Sequence, residues 1–172
     1  MSYMSRFNLD IIASLGSIVL SVFLGGCTTP GAREQTNLLS LPYEQFDQTF
    51  GSGWRPIFDQ REYAKAARLI EDYLQTHHEL TDGQRKFLHL HAGMMFALQG
   101  STARAIKHLD EAMTTRTSPE LWPDWNDFVI ANRAFLTHDL TALQAARERL
   151  AVTHSSQLIF VDRLVQSFGS SY

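Results

Sequence analysis

From Tyr43 onward, apolar residues recur at the three- and four-residue spacing of amphipathic α-helices. No segment alternates polar and apolar positions as a half-buried strand would. The pattern therefore predicts an all-α domain over residues 43–172. The predicted helices cover about Gln60–Thr76, a segment after Thr81 that reaches Leu98, a segment after Ser101 that reaches Met113, Asp124–Thr137, Asp139–Val152 and a short closing helix, Ser156–Phe168.

Start and stop signals divide this region into helices. Thr81 and Gln84 have the spacing of a capping box, in which each residue satisfies a backbone N–H at a helix start. Gly100 followed by Ser101 is typical of one helix ending and the next beginning. Ser118-Pro119 has the order of an N-cap followed by proline at the first helical position.

The N-terminal region has a different pattern. Ile11–Leu24 is an apolar run of about 14 residues, which spans roughly 21 Å as a helix and is too short for a hydrocarbon core of roughly 30 Å. Its length fits the apolar segment of a secretory signal, preceded by a short region that carries Arg6. The pattern therefore predicts a signal peptide over residues 1–26.

Leu24-Gly25-Gly26-Cys27 resembles the lipobox of bacterial lipoproteins, an aliphatic residue and two small residues before a cysteine. The resemblance implies cleavage between Gly26 and Cys27, with a diacylglycerol and an N-acyl chain attached covalently to Cys27. These chains would anchor the protein in a lipid bilayer. The alternative is an ordinary secretory signal followed by a chance cysteine.

The residue after the cysteine bears on location. Thr28 stands where an Asp tends to retain Gram-negative lipoproteins in the inner membrane, so the resemblance favours the outer membrane. It does not choose between the periplasmic and the surface face. Residues 27–42 contain Pro30 and Gly31 and no helical periodicity, which predicts a lipidated N-terminus followed by a flexible tether.

The helical region also contains a repeat. Arg61, Gly100 and His138 align at successive helix turns, separated by 39 and 38 residues. In the clearest unit, Gly93 and Ala105 are predicted to lie where two helix backbones approach each other. This unit resembles the tetratricopeptide pattern, which implies a right-handed solenoid of about three αα-hairpins with a C-terminal capping helix. The alternative is a generic helical bundle.

Composition narrows the function classes. The 172 residues are 44% hydrophobic and 19% charged with a net charge of −3, which is typical of a folded domain and argues against a nucleic-acid binder. A single cysteine excludes an intramolecular disulfide and any multi-cysteine metal site. We therefore expect no nucleic-acid partner and, apart from the acyl chains on Cys27, no cofactor.

The chain offers little catalytic chemistry. His89 and His91 are two residues apart and would point to different sides of a helix, and His108 with Glu111 supplies only two ligands. No nucleophile elbow, phosphate loop or dinucleotide motif occurs. We expect no metal site and no enzyme, with an unrecognised enzyme as the alternative.

An aromatic cluster, Leu121–Trp125 with Phe128 and Phe135, is the most conspicuous candidate binding surface. In tetratricopeptide arrays the first helix of each pair lines a concave groove that takes a partner segment. The resemblance implies a groove formed by Phe87, Leu90, Met94, Leu98, Trp125, Phe128, Asn132, Phe135 and Leu136, unless these residues form core.

The sequence thus favours a membrane-anchored envelope lipoprotein whose helical domain is a protein–protein interaction or assembly scaffold for an unidentified envelope protein. Two alternatives stay open. One is a small-ligand-binding or enzymatic domain that uses the apolar groove, and the other is a purely structural surface lipoprotein.

Overall fold

A computed structural model describes residues 37–115 and 119–172. The predicted signal peptide, its cleavage site at Gly26 and Cys27, Thr28 and the predicted tether up to residue 36 lie outside the described residues. Ser118 of the predicted proline N-cap lies outside them as well.

The described residues are helical and contain no strand, which confirms the all-α prediction for this part of the chain. After a short helical turn at residues 37–39 comes a π-helical segment, Glu44–Gln48. Seven α-helices follow: α1 (Arg55–Asp59), α2 (Tyr63–Thr76), α3 (Asp82–Leu98), α4 (Thr102–Ala112), α5 (Trp125–Leu136), α6 (Leu140–Val152) and α7 (Leu158–Gln166). None of these helices is long and apolar enough to span a bilayer.

The helix starts test the predicted signals. The capping box is present, because Thr81 Oγ1 accepts from Gln84 N–H and Gln84 Oε1 accepts from Thr81 N–H. Asp139 caps α6 by accepting from Ala142 N–H at 2.9 Å. The proline signal is wrong, because Pro119 and Glu120 form a turn and α5 begins only at Trp125.

Four helices end in the same left-handed turn. Arg61, Gly100, His138 and His154 have φ of 60°, 82°, 55° and 52°. In each turn the next N–H donates to the carbonyl five residues back, the Schellman arrangement that satisfies a free helix-end carbonyl. These bonds are Glu62 to Ile57 (3.1 Å), Ser101 to Phe96 (2.8 Å), Asp139 to Ala134 (2.9 Å) and Ser155 to Leu150 (3.0 Å).

After the first three of these turns the next helix begins two residues later. The pairs α1–α2, α3–α4 and α5–α6 are therefore joined by minimal connections. Within α3–α4, a Cβ added to Gly93 would lie 3.0 Å from Leu109 Cγ and 3.2 Å from Ala105 O. The predicted close approach of backbones at Gly93 and Ala105 is confirmed. The α1 helix of the first pair is not among the predicted helices.

The N-terminal described residues pack on this helical body. Tyr73 Oη donates to Leu41 O at 2.8 Å, and His77 Nε2 lies 2.7 Å from Leu39 O. Leu38, Leu39 and Leu41 contact the hydrophobic core. Residues 37–42 therefore belong to the folded domain and differ from the flexible tether predicted for them.

A buried carboxylate fixes the next segment. Asp47 is fully buried, and its Oδ1 accepts from Trp54 Nε1 at 2.9 Å and lies 2.7 Å from His91 Nδ1 on α3. Burial raises the pKa of Asp47, but the charge of His91 and the hydrogen bonds outweigh it, so this pKa lies below its usual value. The network joins residues 43–54 to the body.

The left-handed turns give a stability prediction. A positive φ destabilises a non-glycine residue by about 1 kcal/mol or more. Arg61→Gly should therefore raise the free energy of unfolding by about 0.5–1 kcal/mol. His138→Gly should gain less, because it loses the ring contact with Phe168. Gly100→Ala should lose about 1 kcal/mol, and urea denaturation followed by circular dichroism measures all three.

The control is Arg68→Gly, at an exposed position within α2 where glycine should cost about 1 kcal/mol. A loss at Arg61→Gly as large as that at Arg68→Gly would contradict the role of the turn.

Candidate partner-binding site

Most of the nine predicted groove residues lie in the interior. The buried ones are Leu90, Met94, Trp125, Phe128, Asn132 and Phe135. Phe87, Leu98 and Leu136 are partly exposed. The structure thus differs from an open groove along these residues, because α3 packs against both α2 and α4 while other side chains cover α5.

The side chains that cover α5 are themselves aromatic. Together with the rings beneath them they form a continuous set of edge and tilted contacts, which we call the aromatic row. Its successive centroid distances are Phe87–Trp122 5.4 Å, Trp122–Trp125 4.6 Å, Trp122–Phe128 6.2 Å, Phe128–Phe160 5.5 Å, Phe160–Tyr172 6.5 Å, Tyr172–Phe135 5.6 Å and Phe135–Phe168 6.2 Å.

The aromatic row draws on several elements. Phe87 comes from α3, Trp122 from the loop before α5, and Phe160 from α7. Trp122 belongs to the aromatic cluster that the sequence singled out, whereas Phe160, Phe168 and Tyr172 are absent from the predicted groove. Five members, Phe87, Trp122, Phe160, Phe168 and Tyr172, remain partly exposed. These five rings are the part of the row that solvent reaches.

The two tryptophans at the start of the row differ in their polar contacts. Trp125 is buried, and its Nε1 donates to Ala112 O at the end of α4 at 2.8 Å. Trp122 Nε1 is also buried but has no hydrogen-bond partner among the described residues. A buried N–H without an acceptor is uncommon in folded proteins.

Toward the other end of the row, Tyr172 packs on α5. Its Oη donates to Asn132 Oδ1 of α5, and its ring packs between Phe135 and Phe160. Asn132 is fully buried, and its Nδ2 donates to Phe128 O at 2.8 Å. Burial raises the pKa of Tyr172, so its phenol stays protonated and acts as a donor.

Besides the cluster of Asp47 and His91, a polar cluster around His89 lies on a different side of α3. His89 Nδ1 is 3.1 Å from His108 Nδ1, and His108 Nε2 is 3.0 Å from Glu71 Oε1. Burial, together with the positive charges of His108, Lys86 and Arg85, lowers the pKa of His89 to about 4. The cluster pairs His108 with Glu71 of α2 rather than with Glu111, the neighbour considered in the sequence.

Neither histidine cluster gathers a set of metal ligands. His91 turns to Asp47 and His89 to His108, so these two histidines do point to different sides of α3 as their spacing predicts. In the part of the chain that the structure describes, no group of three or more His, Cys, Asp or Glu side chains is placed to bind a metal ion.

Comparison with known proteins adds no assignment to this geometry. No protein-family model, no curated protein and no solved structure matches the chain.

The two tryptophans provide a matched pair of substitutions. Trp125→Phe removes the donor to Ala112 O and leaves a buried carbonyl unpaired, so it should lower the free energy of unfolding by about 1–3 kcal/mol. Trp122→Phe removes an N–H that has no partner among the described residues and should cost less than about 1 kcal/mol. Urea denaturation followed by circular dichroism compares them, and equal losses would contradict the assigned roles.

The low pKa of His89 predicts a pH dependence of stability. The pKa of His89 is about 4 in the folded state and near its ordinary value of 6.5 in the unfolded chain. The unfolded state therefore takes up the proton first, and stability falls as the pH drops from about 6.5 toward 4. At pH 5 this loss in the free energy of unfolding is at most about 2 kcal/mol. Solvent screening of the partly exposed ring makes it smaller.

His89→Gln is the control for this effect. Between pH 7 and pH 5 it should lose less stability than the unchanged chain, whose other groups titrate in the same way. An NMR titration in which the His89 ring protonates between pH 6 and 7 would refute the argument.

Proposed function

We propose that the chain is a bacterial envelope lipoprotein, anchored through Cys27, whose helical domain binds a protein partner as an interaction or assembly scaffold. The observation that carries the scaffold part is the aromatic row. Aromatic residues are enriched at protein interfaces, where they bury large areas with few rotatable bonds. Five rings of the row are partly exposed. Phe87 contacts Trp122 and Phe160 contacts Tyr172, and the buried Phe128 and Phe135 connect these pairs and Phe168 into one surface.

The arrangement of helices supports a tetratricopeptide-like reading of the domain. The minimal left-handed turns recur at the aligned positions Arg61, Gly100 and His138. Besides sequence neighbours, α3 contacts α5 and α5 contacts α7. Contacts between alternate helices are what stacked helix pairs require, so we propose that α3–α4 and α5–α6 are repeat units and α7 is a cap.

The anchor rests on the sequence alone. The apolar run Ile11–Leu24 and the lipobox-like Leu24–Cys27 support cleavage after Gly26 and acylation of Cys27. By the same resemblance, Thr28 favours the outer membrane. The proposal therefore has two separable parts, an anchored N-terminus and a partner-binding aromatic row.

One experiment tests both parts. A photo-crosslinking amino acid is placed at Trp122 in the aromatic row or at Gln144, an exposed position on α6, and intact cells are irradiated. We expect a discrete protein adduct from position 122 and none from position 144. Cys27→Ala should remove the lipid mass and release the chain from membranes. It should also reduce the adduct, because we expect the partner to lie at the membrane.

The outcomes are distinct. Equal adducts from both positions, or none from position 122, would overturn the scaffold. Retention of the Cys27→Ala chain in membranes with an unchanged mass would overturn the lipoprotein assignment and leave the aromatic row untouched.

A further inference from the structure

The segment after α7 folds back onto α5. Its backbone bonds are local, from Ser167 N–H to Arg163 O and from Ser170 N–H to Ser167 O. Gly169, with φ of 92°, turns the chain. Described contacts with α5 are made by the rings of Phe168 and Tyr172 and by the phenol of Tyr172. The described attachment of this segment to α5 thus consists of two rings and one side-chain hydrogen bond.

We propose that the pocket formed by Asn132, Phe135 and Phe160 is a docking site for a tyrosine-bearing segment of a protein partner, and that Tyr172 occupies it in cis. The inference rests on the proposed function and deepens it, since it states which side chain the aromatic row takes. The occupant seen in the pocket, a tyrosine on a short turn, shows the chemistry that fits.

Asn132 makes the pocket selective for a hydroxyl. Its Nδ2 is committed to Phe128 O at 2.8 Å, which fixes the amide and directs Oδ1 to the phenol. Asn132 is fully buried, so an occupant without a donor would leave Oδ1 unpaired and desolvated. Phenylalanine should therefore bind at least about tenfold more weakly than tyrosine.

The rings supply affinity without adding selectivity for a hydroxyl. Phe135 meets the Tyr172 ring at 74° and Phe160 meets it at 54°, an edge and a tilted contact of the kind aromatic pairs prefer. A phenylalanine would keep both contacts. The difference between the two side chains thus isolates the bond to Asn132.

Because Tyr172 of the same chain fills the pocket, a partner segment has to displace it in order to bind. A tethered segment has an effective concentration of the order of millimolar, so a partner segment competes with Tyr172 for the same pocket. Emptying the pocket by Tyr172→Ala should therefore strengthen binding of an added segment by at least about tenfold.

The experiment uses the full chain in detergent and a fluorescein-labelled peptide with the sequence of residues 165–172, VQSFGSSY. We expect fluorescence anisotropy to show binding to Tyr172→Ala and at least about tenfold weaker binding to the unchanged chain. A peptide ending in Phe should bind Tyr172→Ala at least about tenfold more weakly. In Tyr172→Ala with Asn132→Leu, the two peptides should bind equally.

Folding is checked independently by far-ultraviolet circular dichroism and by thermal unfolding of every variant. Tyr172→Phe serves as a matched variant that keeps the ring and loses only the hydroxyl. No binding to a folded Tyr172→Ala chain at millimolar peptide would overturn the proposal. Equal affinity for the Tyr and Phe peptides when Asn132 is present would also overturn it.

Other occupants give their own results. If sedimentation shows that the unchanged chain dimerises and Tyr172→Ala does not, the occupant is a second copy and the proposal of a different partner is wrong. The two proposals also fail separately. Loss of crosslinking at Trp122 refutes the scaffold, whereas failure of the peptide assay refutes only the tyrosine pocket.

Discussion

The left-handed residue that ends α1, α3 and α5 is the constraint from which the rest of the domain follows. A single residue with positive φ allows the following N–H to satisfy a free carbonyl and reverses the chain at once. The next helix begins only two residues after the turn. Because the connection is so short, the backbones of the two helices lie against each other. Gly93 permits that approach because Ala105 O and Leu109 leave little room for a Cβ.

Contacts between helices that are not neighbours in the chain decide which surfaces meet. In this domain α3 contacts α5 and α5 contacts α7. Side chains from alternate helices can then touch although they are far apart in sequence. Phe128 of α5 meets Phe160 of α7 in this way. The aromatic row thus depends on contacts between segments that are distant in sequence rather than on any local motif.

The sequence predicts features that depend on neighbouring residues better than features that depend on contacts between distant residues. Thr81 with Gln84, and Gly100 with Ser101, are local signals, and helix boundaries there agree with them. Arg61 and His138 carry no glycine signal, yet their spacing from Gly100 identifies the same turn. The five-residue helix α1 was missed because it is too short to show a period. The partners of His91 and His108 lie on other helices, so no spacing could have indicated Asp47 or Glu71.

The N-terminal residues show how packing changes a prediction based on composition. Residues 37–42 lack periodicity, but Leu39 and Leu41 supply carbonyls to His77 and Tyr73. With Cys27 acylated as proposed, only residues 28–36 would separate the lipid from the first described residue.

Burial of the α5 residues therefore does not by itself separate a core from a binding groove. Phe135 and Asn132 are buried, but part of what buries them is a segment held by two rings and one described side-chain hydrogen bond. If that segment is closed about ten times as often as it is open, a competitor's apparent affinity falls only about tenfold. An internal ligand held in this way would keep apolar surface out of water in the free protein and still leave it accessible to a stronger ligand. Burial in one conformation thus does not distinguish a permanent core residue from a docking residue, and the strength of the covering contact does.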